Sequence, residues 1–455
     1  MFAVALVSAS ASVDAAQSTD KNVPEWMKGR PGSILGSESQ IEIDERVSRL
    51  ISHPRVRKGI DDLVRIYEGE EIANLPDARK TLRRGAEANA GAALISAIAM
   101  DPDRPNTHWG VTAPHSWGGA MVPLSGIMID NPDNIYRNIP VDGAASYVVS
   151  GRIRFQAPSQ QTLVLHNERS GGSDNQEVKS QETEDGSVSL STLPVDRDGR
   201  FTVTIDSSPA NGRLNHIQSD PTVHNAYIIV RDTLVDWSRE NPVELSVERT
   251  AGPPITPPAT DEEIAERAAV STVNVGRYFL QWVKQNFYKG AANTITHGFD
   301  RASGWGLVRL GWYNLASDEA LIVRVDRKGA AYLGFQLSDV WGQGQSGEYI
   351  GQLGSLNGLQ AIADKDANYT FVIANQDPGV HNWLDTGGLH AGTFGIRWQE
   401  LPRGVDSSNV MLGMKVVKLA DLKANLPAET VWMTPETRKA QIAERLASFA
   451  RRLQY

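Results

Sequence analysis

The sequence predicts an α+β protein, mainly β. It reads as two antiparallel β-sandwich-like modules related by internal duplication, with an α-helical N-terminal segment, a linking helix and a C-terminal helix. Three observations predict this. First, Asp196-Arg-Asp-Gly-Arg-Phe-Thr-Val-Thr-Ile205 matches Asp364-Lys-Asp-Ala-Asn-Tyr-Thr-Phe-Val-Ile373 in both aspartates, the aromatic, the threonine and the isoleucine. The first copy continues into a loop with Asn215 and His216 and a strand near Arg231, the counterpart of Arg397; upstream, Asn138–Asp142 resembles Asn314–Asp318. Second, runs rich in β-branched and aromatic residues, such as Tyr369–Ala374 and Thr393–Trp398, recur on both sides of a proline-rich break. Third, apolar residues at three-to-four spacing mark helices before, between and after these β regions.

In chain order, residues 1–38 open with MFAVALVSASASVDAAQ, apolar and then rich in small residues, followed by an extended arm. The opening resembles the core and exit of a secretory signal without a preceding basic residue. This favours a periplasmic or secreted protein, with a cytoplasmic protein bearing a disordered tail as the alternative. Residues 39–105 form the helical segment. Val47, Leu50 and Ile51 share a face, Ile60, Leu63, Val64 and Tyr67 continue it after Pro54, and Arg79–Met100 makes a third helix that Pro102 and Pro105 end. Residues 106–251 are the first β module, whose polar stretch Asn167–Gly186 reads as an exposed hairpin tip or loop. Residues 252–290 hold the linker Gly252-Pro-Pro-Ile-Thr-Pro-Pro258 and a long helix started by a Thr260/Glu263 capping box. Ile264, Ala268, Thr272, Val275, Phe279, Val283 and Phe287 make its apolar face. Residues 291–425 are the second β module. Residues 426–455 end in a helix capped at Thr434-Pro435, with Ile442, Leu446, Phe449 and Leu453 on one face. That face needs a partner, either a sandwich of the same chain or a second subunit in a homo-oligomer.

Composition narrows the function. At 455 residues, with 40% hydrophobic and 22% charged, the chain is a multi-domain globular protein. A net charge of −9 without a Lys/Arg cluster argues against a nucleic-acid partner. No stretch after the opening approaches the length of a membrane span. With no cysteine, thiol catalysis and Cys-ligated metals are excluded. Eleven tryptophans suggest that some line a cavity or groove.

Motifs exclude more than they name. Gly342-Gln-Gly-Gln-Ser-Gly347 has the dinucleotide spacing, but the following glycine-rich Glu348–Gly354 cannot form the helix that receives the pyrophosphate, so it reads as a glycine loop between strands. A G-x-S-x-G elbow and an H-E-x-x-H pair are both missing from the sequence, and the expectation is that no cofactor and no metal is used. The best constellation lies in the loop between the two last-mentioned strand runs. His381 and Asp385 pair a proton-transfer group with a carboxylate, Trp383 offers an apolar wall, and Arg397 can hold an anionic or hydroxyl-bearing ligand. Asn131-Pro-Asp-Asn-Ile-Tyr-Arg137, an Asx-rich turn before the first module, adds Tyr136 as a phenol donor, with Arg137 and Asn134 at the pocket mouth and His115 and Trp117 nearby. The expected catalytic residues are His381, Asp385 and Tyr136; the expected binding residues are Arg397, Trp383, Arg137, Asn134, His115 and Trp117, meeting in one pocket between the modules.

Asn131–Arg137, with Val141–Tyr147 and Ser150-Gly-Arg152 after it, resembles the opening signature of a bacterial β-sandwich family, domain of unknown function 1214, sister of domain of unknown function 1254. Asn382-Trp-Leu and Gly392-Thr-Phe-Gly-Ile-Arg-Trp398 are similar to its closing signature, while Asp385 departs from the expected Pro-containing turn and His381 has no place in the pattern. The likeness covers residues 125–250 and 310–402. It implies antiparallel sandwiches and members met beside catabolic genes for small organic molecules. The residues and the resemblance together point to an enzyme of small-molecule catabolism, hydrolytic or eliminating, acting by acid–base chemistry on an apolar, hydroxylated or acidic substrate. The alternative is a carbohydrate- or glycoside-binding protein that stacks sugars on Trp117, Trp341 and Trp383.

Overall fold

The computed structural model describes residues 23–119, 121–167, 182–300, 306–344, 353–402 and 404–455, with the backbone alone for residues 182–185. The opening segment and most of the polar insert therefore lie outside the described residues. Helices α1 (Glu38–Leu50), α2 (Pro54–Glu68) and α3 (Ala78–Ala99) come first. The first module contains β1 (His108–Val111), β2 (His115–Ser116), β3 (Met121–Val122), β4 (Asn134–Val141), β5 (Ser146–Arg152), β6 (Gln160–His166), β7 (Glu182–Ser189), β8 (Arg200–Asp206), β9 (His216–Gln218), β10 (Ala226–Thr233) and β11 (Glu244–Ala251). Helix α4 (Asp261–Asn286) leads to β12 (Thr294–Asp300), β13 (Gly306–Asn314), β14 (Glu319–Asp326), β15 (Tyr332–Ser338), β16 (Ser355–Asn357), β17 (Asn368–Ala374), β18 (Trp383–Asp385), β19 (Ala391–Gln399) and β20 (Met411–Lys418). The short α5 (Leu422–Asn425) and the longer α6 (Pro435–Ala450) follow.

The duplication holds strand for strand. The first module stacks a sheet ordered β1-β4-β10-β6-β7 on one ordered β11-β5-β8-β9, and the second repeats this as β12-β13-β19-β15-β16 on β20-β14-β17-β18. Its chemistry repeats too. Asp196 accepts from the amides of Asp198 and Arg200, and Asp364 from those of Asp366 and Asn368, so the same Asx turn launches β8 and β17. Beyond these strands, Asn215 donates to Thr202 O and Asn382 to Thr370 O, both at 3.1 Å. Both then lead into a short parallel strand, with Ile217 opposite Ile205 and Leu384 opposite Ile373. One expected equivalence fails. Tyr136 lies opposite Arg231 and Val308 opposite Arg397, so equating the two arginines sets Asn138 against Leu310 rather than Asn314.

Each module closes its own core between its sheets. Ile139, Leu163, Ile228 and Val230 meet Tyr147, Val149, Val203 and Ile205 in the first; Phe335, Phe394 and Ile396 meet Leu321, Val323 and Phe371 in the second. The strands on either side of the polar insert pair with each other, β7 against β6 from Ser189 opposite Thr162 back to Glu182 opposite His166.

The helices form a third layer. The linking helix α4 carries the capping box and packs on α2 and α3, completing one helical core with Val47, Leu63, Leu94, Ile264 and Ala268. Close approach needs glycine here: a Cβ on Gly276 would sit 2.5 Å from the Leu63 methyls, and one on Gly59 2.9 Å from Ala269 O. Farther along, Val283 and Phe287 pack against Val308 and Leu310 of the second module. Phe279 is only half-buried. The apolar face of α6 docks on its own chain, Ile442 against the second core and Phe449 beside Trp109, Ile135 and Trp237 of the first module. This covers the face for which a second subunit was the other expected partner. Among the described residues, no helix is long and apolar enough to cross a membrane.

Candidate functional site

The structure divides the expected pocket into unconnected places. His381 lines a small cavity of about 40 Å³ beside β17, its Nδ1 against Asn382 Oδ1 at 3.1 Å and its Nε2 facing Gln441 at 3.4 Å. Tyr136 lines a different cavity. Asp385 does not orient His381: the ring nitrogens of His381 face Asn382 and Gln441, and the cavity that His381 lines does not include Asp385. The Asp385 carboxyl accepts from Gly387 N at 2.8 Å and is pushed up to about 6 by burial, with Asp377 adding to the rise. Trp383 is core rather than wall: it is buried, donates to Ala374 O and lies under the Arg438 guanidinium.

The remaining expectations are corrected in the same way. Arg137 is buried in an ion pair with Asp232 at 2.6 Å, because strand alternation in β4 turns it away from the side taken by Tyr136. His115 and Trp117 are buried together on Asp44, at 3.1 and 2.7 Å from Oδ2, while Trp341 stacks on Tyr67 at 4.6 Å. These three tryptophans make no row on the surface, which removes the platform for the sugar-stacking alternative. Among the described residues, no group of three or more His, Asp or Glu side chains is placed to hold a metal.

A different constellation forms where both modules, the helical layer and α6 meet. It centres on the loop before β4. Ile129 has φ 42, a left-handed conformation that strains a β-branched residue. Two bonds hold it there: its N–H donates to Gly342 O at 2.6 Å, and its carbonyl accepts from Arg397 Nη2 at 2.8 Å. Arg397 is itself fixed by Gln336 at 2.7 Å. Its expected role of holding a ligand thus becomes that of positioning this loop.

The strained turn presents Asp130 to a cavity of about 50 Å³, shared with Trp109, Asn134, Tyr136, Gln343 and Arg452. One Asp130 oxygen accepts from Ile127 N at 3.1 Å. The side chain keeps some exposed surface, yet the surrounding protein desolvates it enough to push the carboxyl up to about 7, against the backbone hydrogen bonds and the charge of Arg397. Tyr136 Oη accepts from Asn131 N and Asn134 Nδ2, both at 3.2 Å, leaving its proton to donate. Arg452 gives Nη1 to Pro132 O at 3.1 Å, whereas its Nε and Nη2 have no partner. Burial lowers this guanidinium to about 9.

Behind the cavity lies Asp133, fully engaged by Trp237 Nε1 (2.8 Å), Asn357 Nδ2 (2.9 Å) and Tyr332 Oη (2.7 Å). Of the motif Asn131–Arg137, Asn134 and Tyr136 line this cavity, together with Asp130, one residue before it, which the sequence reading does not single out. Gln343 was overlooked inside the glycine loop. Arg452 had no local signal, since nothing in a C-terminal helix pattern says which arginine turns inward.

No protein-family model matches the sequence, and no curated protein matches it. Among solved structures, the chain is similar to an uncharacterized protein from Burkholderia cenocepacia, with 23% identity and a TM-score of 0.65 over 82% of this chain and 99% of that one. A protein from Vibrio parahaemolyticus matches at 9% identity and a TM-score of 0.39, over 83% of this chain and 100% of that one. The first likeness is one of fold.

Proposed function

We propose that the protein is an acid–base enzyme, a lyase acting on small hydroxylated or acidic molecules, with the cavity between the modules as its site. One observation carries the reading: Asp130 and Tyr136 line the same small cavity with complementary proton roles. A carboxyl pushed up to about 7 exists in both forms near neutral pH and can take or give a proton. Tyr136 has its acceptor positions filled by Asn131 and Asn134, so it can turn its O–H to a substrate oxygen and stabilise charge there. Ser125 also lines the cavity but commits its proton to Gly110 O at 2.7 Å, which favours elimination over hydrolysis through a serine ester. In such an elimination Asp130 takes the C–H proton and a C=C bond forms as the C–O bond breaks. Tyr136 gives its proton to the departing hydroxyl, which leaves as water, and the proton on Asp130 returns to the phenolate. The stretch resembling domain of unknown function 1214 contributes Asn131, Pro132, Asn134 and Tyr136 to this cavity, so membership of that family belongs to the same proposal.

The test is a dehydration assay across a panel of small hydroxy acids. Asp130→Asn should lower turnover by about 10²–10⁴, the usual contribution of a general base, with the fold intact by circular dichroism. Dehydration by this variant at the wild-type rate would sink the reading.

A further inference from the structure

We propose that the cavity between the modules is a carboxylate subsite and that Arg452 holds the anionic end of the ligand; this names the substrate class of the site just proposed and rests on that assignment. Arg452 is 4% exposed, and Nε and Nη2, the two donors on one edge of its guanidinium, are without acceptors. Such an edge presents two parallel N–H groups that match the two oxygens of a carboxylate. A buried guanidinium left half-bonded is costly, so an acceptor arriving in the cavity gains what the protein withholds.

The protein's own anion does not fill this place. Asp133 spends its oxygens on Trp237, Asn357 and Tyr332. Arg445, the second buried guanidinium of this network, bonds Ser355 Oγ at 2.6 Å and Gln360 Oε1 at 3.3 Å. Two buried cations thus share one buried carboxylate, and one positive charge is left for a ligand. Trp109 Nε1, also buried and without an acceptor, adds a third donor on the same cavity. At about 50 Å³ the space suits a carboxylate group with the rest of the molecule in the mouth; it is far below the ~300 Å³ at which drug-sized ligand pockets begin.

The experiment uses the full chain and measures calorimetric affinity for benzoate and 3-hydroxybutyrate, for the corresponding amides, and for inorganic phosphate. Both carboxylates should bind at least about tenfold more tightly than their amides and than phosphate, as expected for a charge-assisted bidentate pair. Arg452→Gln and Arg452→Lys should each lose about tenfold or more, the lysine because it keeps the charge but not the fork. Asp130→Asn should retain carboxylate binding. Equal affinity for acid and amide, equal or tighter binding of phosphate, or unchanged binding by Arg452→Gln would each overturn the subsite. If Arg452→Gln fails to fold, the acid-to-amide ratio of the natural protein still decides. Carboxylate binding without dehydration of any panel member removes the lyase reading alone. Turnover of neutral substrates without carboxylate binding removes this inference alone.

Discussion

At the scale of single residues, the site depends on how Ile129 and Arg397 hold Asp130. The raised carboxyl has a consequence for stability as well as for proton transfer. Between the ordinary value of 3.8 and about 7, folded Asp130 keeps a proton that the unfolded chain has lost. The folded state then binds more protons, so this contribution is present at low pH and is lost as pH rises through about 7. Asparagine has no proton to lose. Asp130→Asn should therefore melt above the natural protein at pH 8 and lose that advantage at pH 5; a difference independent of pH would show that Asp130 is not held as described. Arg397→Ala removes a charge that lowers Asp130 and a bond that holds the strained Ile129 carbonyl. The alkaline-rising limb of turnover should move to higher pH, and denaturant titration should register a loss of roughly 1–3 kcal/mol for the unsatisfied buried groups.

At the scale of elements, helices and repeated strands were legible because their signals are local. The Thr260/Glu263 box starts α4, and the paired aspartates at 196 and 364 launch equivalent strands. The site was legible only where it followed such a signal. Asn134 and Tyr136 belong to a strand rather than the expected turn, and two-residue alternation sends Tyr136 to the cavity and Arg137 into an ion pair. The His381–Asp385 spacing promised a pair only if both side chains turned to one side; the His381 ring instead meets Asn382 and Gln441, while Asp385 sits in β18 and bonds Gly387. Packing between elements gives a graded prediction. Phe449 is buried among Trp109, Ile135 and Trp237, and Phe449→Ala should cost about 3–5 kcal/mol. Half-buried Phe279 should cost clearly less. Gly276→Ala would drive a methyl into Leu63, and overpacking of this kind costs roughly 1–3 kcal/mol. Thermal melts that ranked Phe279→Ala above Phe449→Ala would contradict the packing of α4 and α6.

At the scale of the whole molecule, the two modules are joined by a polar network rather than by the linker. Asp133 lies immediately before β4 of the first module. It is bonded by Tyr332 of β15 and Asn357 of β16 in the second module, by Trp237 after β10, and it faces the guanidinium groups of Arg445 and Arg452 across the network. These partners are up to 320 residues apart in sequence, as for Arg452 with Pro132, so no periodicity or spacing rule could have assembled them. Burial makes the arrangement consequential. Removing one member of a buried charged set leaves the others desolvated without compensation, a loss of about 3–5 kcal/mol, whereas surface pairs such as Lys58 with Asp62 contribute under about 1 kcal/mol. Asp133→Ala should therefore act on the coupling between modules and not only on the cavity. The natural protein should unfold in one urea transition followed alike by tryptophan fluorescence and far-ultraviolet circular dichroism. In Asp133→Ala the two probes should separate, because the C-terminal segment that bridges the modules loses the carboxylate shared by Arg445 of α6 and Arg452 just after it. Coincident curves with an unchanged midpoint would mean that the apolar contacts of Phe449 and Ile442 alone hold α6 across both sandwiches.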